Sequence, residues 1–261
     1  MSAPALQFAD SGGAGETVLL AHAIGCEHRM WDGILPALSP HFRTVAIDAR
    51  GHGHSPRTPR PWSLEDMADD AARVLDTLGL DRVHWVGLSM GGMVGQAFAL
   101  RHGRRLGRLV LANTTSSYGQ AGHELWDARI RLVQQGGLAA IRELTIARYF
   151  SPAFRATHAE IVERTMARFM ETSAEAYIGC CEAIRELDFA DSIRGLRAPT
   201  LVIAGELDVG TPLAMSQAIA SRIPDARLEV IAGAAHLSAV EQPEVFGGLV
   251  RRFLAPGAGG Q

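Results

Sequence analysis

"WVGLSMGGM", residues 85–93, sets a serine between glycines where a β-like run meets a helix-like one. Gly87-Leu88-Ser89-Met90-Gly91 follows the pattern G-x-S-x-G. Glycines at both ends let the backbone turn sharply, so that the serine oxygen stands clear at the carboxyl end of a strand. The helix that follows offers its positive end to developing negative charge. With 28 glycines in the chain the pattern alone is weak. A glycine-rich turn packed under a helix is the plain alternative, and the strand-turn-helix context argues against it.

A serine hydroxyl attacks poorly unless a base takes its proton. Of ten histidines, His236 is the best placed. It follows a β-like run in "VIAGAAHLSAVEQPEVF" (230–246), at the entrance to a helical pattern. The acid that orients such a histidine belongs after an intervening strand, and "LVIAGELDVGTP" (201–212) supplies Asp208. Glu206, two residues earlier, reads as a loop-stabilising or solvated competitor. "LVLANTT" ends in Asn113 and offers no acid. The order Ser89, Asp208, His236 is that of an acyl-transfer triad. Negative charge on a tetrahedral oxygen needs N–H donors. The backbone N–H of Met90 is one candidate. The N–H of Ile24, in the loop His22-Ala23-Ile24-Gly25, is the other, and His22 itself reads as a loop brace.

The rest of the chain alternates short apolar runs with longer amphipathic ones. "TVLLAHA" (17–23), "RTVAID" (43–48), "RVHWVG" (82–87), "RLVLAN" (108–113), "PTLVIAGE" (199–206) and "ARLEVIAG" (226–233) are nearly continuous, as in strands buried on both faces of a parallel sheet. Residues 64–78 are apolar at helical spacing, with Ser63 as N-cap and Asp66 in the capping-box position. Further helical patterns occupy 90–103, 211–223 and 243–254. Strands alternating with helices predict an α/β fold, a mostly parallel sheet flanked by helices. From 115 to 196 the alternation stops. Four stretches there (123–135, 137–150, 156–172 and 174–188) each read as helix. A structureless loop of that length is uncommon in a compact domain. The sequence therefore divides into a core, 1–114 with 197–261, and a helical cap, 115–196. "APGAGGQ" at the end reads as a frayed tail.

Composition narrows the function. The 261 residues are 47% hydrophobic with net charge −3, which suits one large globular domain with no basic stripe for nucleic acid. No apolar run reaches membrane-spanning length. "MSAPALQFADSGG" has no positive region followed by an apolar core, so no signal peptide is read and a cytoplasmic location is expected. Cys26, Cys180 and Cys181 read as packing in a reducing compartment, not as a disulfide frame or a redox pair. His52 and His54 in "DARGHGHS" (48–55) flank a glycine near Asp48, but no further ligands stand at metal spacing, so a tight structural loop is preferred to a metal site.

Together, these motifs resemble the α/β-hydrolase superfamily over nearly the whole chain. "DARGHGHS", "GLSMGGMVGQ", "LVLANT", "YIGCCEAIRELDF", "IRGLRAPTLVIAGELDVGTP" and "AAHLSAVEQPE" resemble more closely the 3-oxoadipate enol-lactonases of aromatic catabolism, the β-ketoadipate pathway. The resemblance places Ser89, Asp208 and His236 on the triad positions. It implies hydrolysis of a small carboxylate-bearing enol-lactone through an acyl-serine, with no metal and no cofactor. Where it leads one to expect a cap tryptophan, this chain has Tyr149. Such a substrate needs a cation in the cap. Arg129 and Arg148 are the candidates to hold its carboxylate, with Trp126 as a wall, Tyr149 as a further substrate-binding residue and Arg131 as a further arginine nearby. The expected partner is thus a small anionic lactone or ester, not nucleic acid or membrane, and the sequence leaves monomer and homo-oligomer both open. The competing readings are a carboxylesterase or C–C bond hydrolase with the same triad, and a ligand sensor on a hydrolase scaffold. A dehalogenase with an aspartate nucleophile is disfavoured by serine at 89.

Overall fold

A computed structural model describes residues 5–255; the tail expected in "APGAGGQ" lies, beyond Ala255, outside the described residues, as do the first four residues of the N-terminal stretch. Seven strands form one sheet: β1 (Phe8–Asp10), β2 (Thr17–Ala21), β3 (Arg43–Ile47), β4 (Val83–Leu88), β5 (Leu106–Ala112), β6 (Thr200–Gly205) and β7 (Arg227–Ile231). Their order is β1-β3-β2-β4-β5-β6-β7. All neighbours run parallel except β1, which pairs antiparallel with β3. The helices are α1 (Leu35–Leu38), α2 (Leu64–Thr77), α3 (Met90–Arg101), α4 (Gly119–Gly136), α5 (Arg142–Tyr149), α6 (Pro152–Thr157), α7 (Ala159–Glu171), α8 (Ala174–Arg185), α9 (Leu213–Ala220), α10 (Ser238–Glu241) and α11 (Pro243–Leu254). Among the described residues none is long and apolar enough to cross a membrane.

The elements follow from local chemistry. β2, β4 and β6 are buried at every position, because helices cover both faces of the sheet. Ser63 caps α2 as its sequence predicts: the Ser63 Oγ accepts the Asp66 N–H at 3.1 Å, and an Asp66 carboxylate oxygen accepts the Ser63 N–H at 2.8 Å. α3 is buried on all sides from Met90 to Ala99, since its glycines let it press on the sheet. Two readings of the sequence need correction. β7 is not buried on both faces: Arg227, Glu229 and Val230 are exposed, because β7 is an edge strand with β6 as its one neighbour. A strand also precedes Thr17. The β1 stretch "FAD" is too short to show a period, and it borrows its register from β3, Phe8 opposite Ile47.

The chain between β5 and β6 contains α4 to α8 and no named strand. Two of its four helical stretches are broken. Residues 137–150 start with a 3-10 turn, Leu138–Ile141, before α5. Residues 156–172 divide at His158 between α6 and α7, and α6 begins at Pro152, capped by the Ser151 hydroxyl. Parallel pairing brings the carboxyl ends of β2, β4, β5, β6 and β7 to one edge, where ligands bind in open α/β sheets. Ile24, Ser89, Asn113, Asp208 and His236 lie just beyond those ends.

Candidate active site

Ser89 occupies the turn between β4 and α3 with φ +56° and ψ −116°, a left-handed conformation that costs energy for any side chain but glycine. The surroundings fix it there. The Ser89 N–H donates to the Ala112 carbonyl at 2.9 Å, and the Ser89 carbonyl accepts the N–H groups of Gly92 and Met93. The flanking glycines are needed for space. A Cβ on Gly87 would overlap the Gly91 carbonyl, and one on Gly91 would overlap the Ala21 carbonyl. The glycines and these bonds thus fix the Ser89 oxygen at the carboxyl end of β4, beneath a covering that leaves the residue 2% accessible.

The structure brings Ser89, His236 and Asp208 together. His236 Nε2 lies 2.9 Å from Ser89 Oγ. Its Nδ1 lies 2.8 Å from one Asp208 oxygen and 3.0 Å from the other. A carboxylate accepts hydrogen bonds and cannot donate, so the imidazole carries its proton on Nδ1 and turns a lone pair to the serine hydroxyl. Asp208 accepts further from the N–H groups of Gly210 (2.7 Å) and Thr211 (3.0 Å), the Thr211 hydroxyl (2.7 Å) and the Asn113 amide (2.9 Å). Burial works against its charge, but His236, Thr211 and Asn113 outweigh it and hold the carboxyl well below its ordinary value of 3.8.

Asn113, dismissed in the sequence because it is no acid, is part of this set. It follows β5 directly at φ +46°, donates to Asp208 and to the Ala235 carbonyl, and accepts the Ser238 hydroxyl. The signal was available, since the end of β5 must lie beside the end of β6 once the two strands pair. Thr211 and Ser238 had no signal beyond their nearness to Asp208 and His236. Glu206 is exposed and accepts the Gly233 N–H at 2.8 Å, bracing the loop that carries His236.

The loop after β2 is closed on every side but one. Ala23 N–H donates to Met30 Sδ, Gly25 N–H to His52 Nε2 at 3.0 Å, and Gly91 N–H to the His22 carbonyl at 3.0 Å. Among the described residues the N–H groups of Ile24 and Met90 have no protein acceptor. His22 and His52 are braces. His22 Nδ1 donates to the Ala23 carbonyl and its Nε2 accepts the Ala49 N–H; His52 Nδ1 donates to the Arg50 carbonyl. Both need a bare nitrogen and so a neutral ring. Burial, above all, pushes His52 from 6.5 down to about 3. The unfolded chain therefore takes up a proton that the folded chain refuses. The stability that His52 contributes is complete above pH 6.5 and falls by about 1.4 kcal/mol per unit between there and about pH 3. Urea midpoints measured across that range should show a slope that His52→Gln makes shallower.

His54 is exposed and does not converge with His52. Glu27, His28 and Asp48 do gather within 4.8 Å. They are satisfied by protein partners: Asp48 accepts from the His28 N–H, the His28 ring and the His54 N–H, and Glu27 pairs with Arg29. The three cysteines are free and buried, and burial pushes the Cys26 and Cys180 thiols up to about 12, as suits packing groups.

The helical segment between β5 and β6 carries all three tyrosines of the chain, with Tyr149 against His236 and Arg148 against the Asp208 loop. The Arg148 guanidinium stacks on Trp126, 5.4 Å from the ring, and lies against Gly210 of the Asp208 loop. It reaches the Tyr118 hydroxyl at 3.4 Å, and its Nε is buried with no partner. Arg129 donates to the Tyr177 hydroxyl at 2.6 Å and the Thr145 hydroxyl at 2.7 Å. Among the described residues neither arginine pairs with a carboxylate. Arg131, by contrast, is exposed. Trp126 is buried, edge-on to Tyr118. The Tyr149 hydroxyl donates in a short bond to the Ile24 carbonyl, so that of this expected substrate-binding residue the ring alone is left to meet a ligand.

Comparison with known proteins gives the same fold and a range of substrates. The family model described as alpha/beta hydrolase fold matches residues 16–243. The chain is similar to 3-oxoadipate enol-lactonase 2 of Acinetobacter baylyi, 34% identical over 93% of this chain and 90% of the relative. It is also similar to a putative carbamate hydrolase, RutD, of a Caulobacter species, 32% identical over 92% and 91%. A solved esterase from Thermogutta terrifontis, with malate bound, superposes with a TM-score of 0.90 at 32% identity, covering 95% of this chain and 92% of that one.

Proposed function

The chain belongs to the α/β-hydrolase fold family, and from that premise we propose that it is a serine hydrolase of a small carboxylate-bearing enol-lactone, 3-oxoadipate enol-lactone being the substrate favoured by the relative named above. The observation that carries the reading is a pair of guanidiniums without carboxylate partners, Arg148 against the Asp208 loop and Arg129 bonded to Tyr177, together with a Ser89–His236–Asp208 chain. A half-buried guanidinium left without an anion is costly, and a substrate carboxylate removes that cost in a forked, charge-assisted contact. Malate in the esterase neighbour supports an acidic ligand of this size.

The geometry supports the following steps. Ser89 Oγ attacks the lactone carbonyl as its proton passes to His236 Nε2. The carbonyl oxygen becomes negative against the N–H groups of Ile24 and Met90. Collapse breaks the ring C–O bond, and His236 returns the proton to the departing enolate oxygen; the enol then becomes a ketone. Water, deprotonated by His236, attacks the acyl-serine, and Ser89 leaves with the proton. The product is an open keto-dicarboxylate.

The test is turnover of the enol-lactone against p-nitrophenyl acetate, followed spectrophotometrically. Arg148→Met should lower kcat/KM for the lactone by about 100-fold and leave the neutral ester within threefold. Fast turnover of the ester alone by the native protein would sink the lactone reading. Similarity to a carbamate hydrolase favours a second reading, the same triad acting on a carbamate or simple ester. In that case Arg148→Met would change neither substrate much.

A further inference from the structure

The loop that carries Ile24 is held in an unusual way. The peptide joining Ile24 to Gly25 is gripped on both sides. Its N–H, that of Gly25, donates to His52 Nε2 at 3.0 Å. Its carbonyl, that of Ile24, accepts the Tyr149 hydroxyl. The peptide before it is gripped on one side, where the Ala23 carbonyl accepts His22 Nδ1 at 2.7 Å and the Cys26 N–H at 3.0 Å. Its other side is the free Ile24 N–H. Gly25 itself sits at φ +72° with the Phe169 ring against the position of a Cβ, so no side chain is available to fix the loop from within. The hold comes from outside, one half from the core loop at His52 and the other from the cap at Tyr149.

Tyr149 also meets the histidine. Its ring lies nearly parallel to that of His236, with centroids 6.1 Å apart and planes at 21°, and its carbonyl accepts the Leu237 N–H at 3.0 Å. One cap residue thus touches the loops that bear two of the reacting groups. We infer that Tyr149, with His52 opposite, is a positioning residue: the two clamp the 24–25 peptide and so aim the Ile24 N–H at the oxygen that becomes negative. This rests on the reading of Ile24 as an oxyanion donor. Its physical ground is that such donors act by being fixed before the charge appears, so a donor free to swing loses most of its effect. Tyr149 contributes a hydroxyl bond to a carbonyl and makes no demand on the substrate.

Tyr149→Phe keeps the ring over His236 and removes the hydroxyl's bond to Ile24, together with its contact to the buried Cys26 thiol. With p-nitrophenyl acetate, kcat should fall about 10- to 100-fold with KM within twofold, less than the about 100- to 1,000-fold loss that follows deletion of a donor. The inhibition constant of a trifluoromethyl ketone, whose adduct with Ser89 puts an oxyanion in the same place, should weaken by the same factor as kcat/KM. A second pair of variants reads the other half of the clamp. His52→Gln keeps an acceptor for the Gly25 N–H and should stay within fivefold of native kcat, while His52→Leu should show the same split as Tyr149→Phe. The inference is overturned if Tyr149→Phe, folded by circular dichroism, keeps kcat and the inhibition constant within twofold. It is equally overturned if KM rises as much as kcat falls, the mark of a pocket that has merely loosened. If Tyr149→Phe does not fold, the His52 pair decides by the same criteria. The ester needs no carboxylate grip, so failure of the lactone reading leaves this test intact; a native protein inert to every ester would instead remove the hydrolase reading first.

Discussion

Ser89→Ala should lower kcat for the enol-lactone and for p-nitrophenyl acetate by about 10⁴- to 10⁶-fold. The expectation rests on one distance and one conformation. His236 Nε2 is 2.9 Å from Ser89 Oγ, and the rest of the site does chemistry only through that hydroxyl. Alanine occupies the left-handed turn as serine does, with the same backbone hydrogen bonds to Ala112, Gly92 and Met93, so the fold should be retained. The residual rate should be what the oxyanion donors and binding provide for attack by water. Native enzyme mixed with excess p-nitrophenyl ester should also acylate at one group per chain, seen by intact mass, and the variant should not. Retention of more than a hundredth of native kcat, or an unchanged acyl adduct, would remove Ser89 as nucleophile. Ligand binding that persists together with a biological response in the inactive variant would favour the sensor reading.

The parts of this arrangement differ in how plainly the sequence announces them, and the difference is physical. Ser89 was legible because its constraint is local: Gly87 and Gly91 are required by atoms within a few residues or on the adjacent strand. The capping box at Ser63 and Asp66 is local in the same sense. Asp208 and His236 were legible through order and strand context. Asn113 was misread because its role is defined by a neighbour 95 residues away, and residue type alone says only that it is not an acid. The bond that the Tyr149 hydroxyl makes is hidden in the sequence for the same reason. An aromatic residue near a site looks like a surface for substrate, and only the placement of α5 against the loop after β2 reveals where its hydroxyl goes. β1 escaped because three residues carry no periodicity, and the exposure of β7 because an edge strand and a central one share composition. In the cap, helical spacing was plain, but breaks at Gly137 and His158 depend on packing between helices that a single sequence does not display.

Asp208→Asn should cost about 10⁴-fold in kcat with little change in KM. The magnitude follows from the donors around the carboxylate. Gly210 N–H, Thr211 N–H, the Thr211 hydroxyl, the Asn113 amide and His236 Nδ1 all point at two oxygens. An aspartate accepts all of them. An asparagine has one oxygen and one NH₂, and the NH₂ must face donors wherever it is placed. Turned to Thr211 and the backbone amides, it breaks the turn that holds residue 208. Turned to His236, it donates to Nδ1, moves the imidazole proton to Nε2, and leaves Ser89 facing an N–H where it needs a base. Either outcome removes proton transfer while the cap arginines still bind the substrate, so KM should be nearly unchanged. The same donors give a second readout. The Asp208 carboxyl is held below 3.8 in the folded state, so the stability it contributes is complete above that value and is lost as pH falls through the lower, folded value. Asparagine does not titrate there. Urea denaturation of the variant should thus be less steep in pH below about 4 than that of the native chain, and its pH-independent loss of stability should reflect the donors left unpaired. Equal acid slopes in the two proteins, or a kcat within tenfold of native, would show that Asp208 neither carries that charge nor orients His236.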